Sequence, residues 1–125
     1  VTVNNSFPTG TVRRSYKKNY YCNMKYREIQ LIDNNSIHNF ELWVDGHRSF
    51  IDYQIKGDKA FLLHTEVPKE QEGQGIASAL VEKTLMYLEE NKLKLVPLCS
   101  YVKLFLERHP EWNRLVAERN QADQG

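Results

Sequence analysis

The stretch "EGQGIASALVE", residues 72–82, sets two glycines around one glutamine and runs straight into an apolar pattern of helical period. Ala77, Leu80, Val81, Thr84, Leu85 and Leu88 fall at i, i+3, i+4, i+7, i+8 and i+11, while Glu82, Lys83, Glu89 and Glu90 fall on the other side. The spacing predicts an amphipathic helix of about four turns. The segment before it, "KAFLLHTEV" (59–67), reads as a strand ended by Pro68. A helix that starts just after a strand aims its free first-turn N–H groups and its positive end at whatever lies above the sheet edge. Gly73 and Gly75 leave that entrance bare of side chains. An anion, above all a diphosphate, suits such an entrance; a plain turn with tight helix packing is the alternative for a lone GxG. No GxxxxGK[ST] occurs, which excludes a Walker A loop. A dinucleotide fingerprint fits poorly, because Ser78 stands where its third glycine belongs.

Upstream, the period is two. "REIQLID" (27–33) is a short strand candidate, and "NNS" at 34–36 is turn chemistry. Phe40, Leu42 and Val44 alternate with Glu41 and Trp43, Asp45-Gly46 supplies a two-residue hairpin turn, and Ile51, Tyr53 and Ile55 continue the alternation on the return. Gly57-Asp58 turns the chain again into 59–67, so an antiparallel meander precedes the glycines. Downstream, Asn91 is a candidate left-handed cap and "KLKLVPL" (92–98) a buried strand. A strand, helix, strand unit lays its second strand parallel to its first. Ser100 is placed to cap a short helix through 109, and Pro110 opens another with Trp112, Leu115 and Val116 inward. Trp112, with Phe105 and Leu106, reads as core rather than as a platform for a base.

A chain of 125 residues with 41% hydrophobic content is one domain with one core. No apolar run spans a bilayer and residues 1–23 lack a secretory apolar segment, so a soluble cytoplasmic protein is the expectation. Cys22 and Cys99 match neither CxxC nor a zinc spacing, so neither a disulfide framework nor a metal site is expected. Net charge is +1, yet residues 1–23 carry four cations and no acid, which leaves the rest at −3, the difference between +1 and +4. Residues 1–23 read as a basic, disordered extension and Met24 as a natural start; 24–119 form the domain and 120–125 a frayed polar tail. Cations interleaved with tyrosines in "VRRSYKKNYY" also suit RNA. Nucleic acid is nevertheless not the expected partner of the domain.

"EGQGIASALVE" following "HTEVP" resembles the acetyl-CoA-binding motif of the GCN5-related N-acetyltransferases, an Arg or Gln followed by xxGxG or xxGxA. Glu72, Gly75 and Ala77 occupy its three defined positions. "VPLCSYVKLFLERHPEW" (96–112) is similar to the matching segment of the minimal-length N-acetyltransferase-like proteins, and the likeness covers about residues 27–117. It implies an α/β (α+β) fold, in which the meander is followed by a β-α-β unit whose parallel strands splay, with short C-terminal helices. It further implies that pantetheine lies between the strand of Thr65, Glu66 and Val67 and the strand of Val96, next to Cys99. The pyrophosphate would sit on Gly73, Gln74, Gly75, Ala77 and Ser78, and the Val67 N–H would hold the thioester oxygen. Two departures stand out. Glu72 replaces the usual Arg or Gln and, unless it turns outward or caps the helix, repels a diphosphate. The acceptor-shaping helices and terminal hairpin of larger members have no counterpart here, so the acceptor is not legible from the likeness.

Acetyl transfer to an amine needs a neutral nucleophile, a stabilised oxyanion and protonation of the leaving thiolate. Tyr101, just past the second splayed strand, is a candidate acid, or else a helix residue packing on the sheet. Cys99, between buried strand and helix entrance, is placed where helix dipoles favour a thiolate. It is a candidate nucleophile in a ping-pong route through acetyl-Cys99, or else a small buried residue beside the donor sulfur. Glu66 is a candidate base for the amine, or else a solvent-facing bulge residue; His64 and His109 are weaker candidates. The leading expectation is an acetyl-CoA-dependent N-acetyltransferase acting on a small amine or peptide amine. Its alternative is a non-catalytic acyl-CoA-binding module, and the oligomeric state is left open.

Overall fold

The computed structural model describes residues 25–117. The expected basic arm (1–23) and polar tail (120–125) lie outside the described residues, as do Cys22 and Met24. Five strands form one sheet in the order β1-β2-β3-β4-β5: Ile32–Asn34, Asn39–Val44, His47–Lys56, Lys59–Glu66 and Lys94–Pro97. The first three junctions are antiparallel and β4–β5 is parallel. Helix α1, Ile76–Glu90, makes the crossover between β4 and β5; α2, Ser100–Arg108, and a 3-10 turn, Pro110–Leu115, follow. The meander and the β-α-β unit are therefore present in the expected order.

Turn chemistry carries the meander. Asp45 and Gly46 both take positive φ, 53° and 80°, the condition for a two-residue type I′ hairpin. Gly57, at 61°, makes the next reversal. Phe40, Leu42, Val44 and Ile51 from one sheet face pack with Ile76, Leu80, Leu85 and Leu88 of α1 into one core, which Val102, Phe105, Trp112 and Leu115 complete. Full burial of each such side chain contributes roughly 1.5–3 kcal/mol. Trp112 is thus core, as read from the sequence.

Several expectations need correction. "REIQLID" is not a strand along its length: only Ile32–Asn34 pairs with β2, and 25–31 form turns and irregular backbone. Tyr26 is instead buried against the core. Ile55 is exposed. Glu82 does not face solvent, since it is 3% exposed, and the buried face of α1 begins at Ile76 and Ala79, leaving Ala77 and Ser78 half-buried. Burial also lowers the Lys83 ammonium to about 8, against the opposing pull of Glu82 and Glu28. Asn91 is not left-handed (φ −97°). Lys92 is (φ 59°), with Leu93 N–H donating to the Leu88 carbonyl and Lys92 N–H to that of Glu89, a Schellman end. Cys99 rather than Ser100 is the N-cap of α2.

On the opposite sheet face a buried carboxylate organises β1–β3. Glu41 accepts from Asn34 Nδ2 (2.9 Å), Trp43 Nε1 (3.0 Å) and Arg48 Nε (2.9 Å). Arg48 also donates to Asn39 Oδ1 and lies over the Phe50 ring at 4.3 Å. Nearer the core, Asp33 accepts from Tyr53 (2.5 Å) and Tyr87 (2.9 Å), tying β1, β3 and α1 together. Burial and these bonds to Asp33 raise both phenols, Tyr87 to about 12.

Candidate functional site

The site is made by two interruptions of regular structure. The first lies between β4 and β5. Their parallel ladder runs from Lys59↔Lys94 to Leu62↔Pro97 and stops there, whereas β4 continues to Glu66. At that point Leu98 N–H and Cys99 N–H both donate to the Leu62 carbonyl, each at 3.0 Å, and the chain turns into α2. On the other side of β4, Asp52 pairs with His64 and Tyr53 with Leu62, so Leu63 is an extra, bulged residue. Beyond it β4 keeps β3 as partner and has none in β5.

The second interruption is the entrance of α1. Gly73 and Gly75 hold φ of 82° and 81°, a region that side chains other than glycine's enter at a cost. A Cβ at either position would meet nothing within 4 Å, so both glycines face open space and are required by backbone conformation rather than by crowding. Gly75 is the N-cap, no side chain caps the helix, and the first turn carries no acid. Glu72 is exposed and makes no cap hydrogen bond, which leaves the outward orientation of the two considered.

Two residues that the sequence did not single out hold this entrance. Tyr26 donates to the Gln74 carbonyl at 2.7 Å, across 48 positions of sequence. Gln71, buried, donates from Nε2 to the Val44 carbonyl at 2.9 Å, tying the preceding turn to the end of β2. Nothing local marks either one; both act through contacts distant in sequence.

The other predicted residues divide by face. Thr65 is half-buried and its Oγ1 lies 3.3 Å from Cys99 Sγ, so these two meet where the strands part. Cys99 is a free, buried thiol. Val67 and Tyr101 pack against the core, and burial raises the Tyr101 phenol against the opposing pull of Arg108. Glu66 is exposed and pairs with His64, 2.7 Å away. His109 lies apart from this group, its ring tilted against that of Phe105 with centroids 4.3 Å apart, between α2 and the 3-10 turn. Gly73, Gln74 and Gly75 are exposed at the helix entrance. No described helix is long and apolar enough to cross a membrane.

A bare, uncapped helix entrance beside an opened strand pair fits a molecule with an anionic group at one end and an extended chain that needs backbone partners. The family model described as GCN5-related N-acetyl-transferase matches residues 39–115, more than half of the chain. The solution structure of a GCN5-like protein from Staphylococcus aureus is similar in fold, with a TM-score of 0.52 and 24% identity over 69% of this chain and 89% of that one.

Proposed function

Because the chain belongs to the GCN5-related N-acetyltransferases, we propose that it uses acetyl-CoA to acetylate a small amine or a peptide amine. The observation that carries the cofactor assignment is the pairing of an uncapped, glycine-entered α1 with a β4 edge released from β5. The residues present fit that group: Gly73, Gln74, Gly75, Ala77 and Ser78 hold the diphosphate, and the released edge at Thr65, Glu66 and Val67 takes the pantetheine amides. When bound, acetyl-CoA supplies an acetyl group activated as a thioester.

Val67 N–H holds the thioester oxygen in this reading, and Tyr101 supplies a proton to the departing sulfur. The raised phenol stays protonated at neutral pH, as a proton donor must. Cys99 forms the wall beside that sulfur. Its hydrogen-bond neighbour is the Thr65 hydroxyl, which has no capacity to take a thiol proton, and this supports direct transfer over a route through acetyl-Cys99.

Calorimetry with acetyl-CoA, CoA, NADH and ATP, followed by thiol release with a panel of amines, tests the proposal. Binding of acetyl-CoA with thiol release supports it. Binding without release from any amine would leave the binding module as the answer, and no binding would remove both. Glu72→Arg provides a graded check, since it trades an exposed anion near a helix N-terminus for the cation usual in the motif. Acetyl-CoA affinity is expected to rise about five- to tenfold, roughly 1 kcal/mol, and the gain to shrink with added salt.

A further inference from the structure

Helices α1 and α2 and the 3-10 turn enter one core on one face of the sheet, and among the described residues no α-helix lies on the other. Phe50, Phe61 and Val96 project from that second face, half-buried and outside the core. Register makes one end of it basic. Lys56 stands opposite Lys59 across β3 and β4, and Lys59 opposite Lys94 across β4 and β5, so three exposed lysines form one row. Of the three, Lys59 has a carboxylate beside it, that of Asp58 at 3.5 Å, whose side chain is 71% exposed. Like charges directly opposite one another destabilise a sheet, so folding supplies no reason for the row. The other end is acidic. Glu66, opposite Phe50, is exposed, and Asp52, opposite His64, lies one row nearer the centre. Arg48 adds no net charge there, because the Glu41 carboxylate pairs with it. Lys59 and Glu66 are roughly 20 Å apart along β4 by strand rise.

We propose that this face binds a second copy of the chain, with the lysine row of each copy over the acidic end of the other. A polyanion would satisfy the lysines but meet Asp52 and Glu66 with the wrong sign, whereas a second copy satisfies both ends. The face is self-complementary under a two-fold axis that runs across the strands between the Asp52 and His64 row and the Gln54 and Phe61 row. Such an axis lays β4 on β4 in opposite senses and sets Lys59 over Glu66 of the second copy, twice per dimer. Stacked sheets lie about 10 Å apart and cross at about 30°, a gap that lysine and glutamate side chains bridge. Phe61 and Val96 lose water between the charged ends. Five strands about 4.8 Å apart and about 20 Å long give a face of roughly 500 Å² in projection. That is the low end of what specific pairs bury, and it sets a weak dimer with a Kd on the order of 10 µM.

Sedimentation equilibrium of the full chain from about 1 to about 500 µM tests this, a range that brackets the expected Kd. The parent is expected to pass from monomer to dimer, and about tenfold more weakly when salt rises from about 0.05 to about 0.5 M. Lys59→Glu and Glu66→Lys each bring like charges together at both contacts and are expected to weaken self-association about 30-fold or more. Mixed in equal amounts, the two variants place opposite charges at both contacts again, and a heterodimer within about threefold of the parent affinity is expected. Both sites are exposed, so thermal melts at concentrations below the Kd are expected to agree with the parent within about 3 °C. A parent that stays monomeric at about 500 µM, some 50-fold above that Kd, overturns the proposal and leaves the face to residues 1–23 or to a different protein. Self-association that survives either variant, or that mixing two folded variants fails to restore, overturns it as well by putting the contact on another surface.

Discussion

Gly75→Asp is expected to give a folded protein that no longer holds acetyl-CoA. Gly75 sits at φ 81° and ψ 8° as the N-cap of α1, a conformation that aspartate and asparagine tolerate better than other residues, at a cost of about 1 kcal/mol. The new side chain meets open space, so no clash adds to that cost. What changes is charge. A carboxylate there takes up the helix's positive end and repels a diphosphate at the same entrance, and after solvent screening the loss is on the order of 2–3 kcal/mol, about 100-fold in affinity. Gly75→Asn has the same shape without the charge and isolates the electrostatic part: its affinity is expected to lie between the other two. Calorimetry on the three proteins, with thermal melts as the control for folding, decides it. An aspartate variant that binds acetyl-CoA as the parent does would mean that the diphosphate sits elsewhere.

The largest effect on stability is expected from Glu41→Ala. Its carboxylate, 4% exposed, accepts three hydrogen bonds, and removal leaves Asn34, Trp43 and Arg48 without that acceptor. Arg48 keeps a 28% exposed side chain, so water partly solvates its charge and the penalty stays near 2–3 kcal/mol, short of that for a fully buried pair. A fall in Tm on the order of 10 °C follows. The same network makes the contribution pH-dependent. Burial acts to raise the Glu41 pKa, but the bonds from Trp43, Asn34 and Arg48 and the Arg48 charge outweigh it and hold the carboxyl below its ordinary 4.5. A group whose folded pKa is depressed stabilises fully above its unfolded value and loses that contribution as pH falls through the folded one. Urea denaturation should therefore show a wide gap between parent and variant at neutral pH that narrows as the pH falls below the ordinary carboxylate range. An equal gap at both would assign the loss to packing alone.

What could be read in advance follows from the range of the forces involved. Asp45-Gly46 and Gly57-Asp58 encode their turns locally, and the alternation from Phe40 to Tyr53 needs only one neighbouring strand to be satisfied, so the meander was legible. Gly73 and Gly75 likewise carry their own conformation. The errors came where distant partners decide. The alternation in "REIQLID" lost to Tyr26, whose burial and bond to Gln74 draw residues 25–31 off the sheet. Glu82 lies on the polar side of a helical wheel, yet the buried face of α1 widens to include it. The Leu63 bulge has no signature in its own residues, because it is a property of register between two strands. Of the candidate site, the close approach of Thr65 to Cys99 and that of His64 to Glu66 differ in the same way. The second follows from a spacing of two on one strand, whereas the first requires knowing where β5 ends.

The last described residues do more than fill the core. Past the 3-10 turn, Val116 bridges Leu95 and Ala117 N–H donates to the Leu95 carbonyl at 2.8 Å, which occupies the outer margin of β5. At the other margin β1 is only three residues long. Among the described residues, then, each border of the sheet leaves little free backbone on which a strand from another chain could template itself.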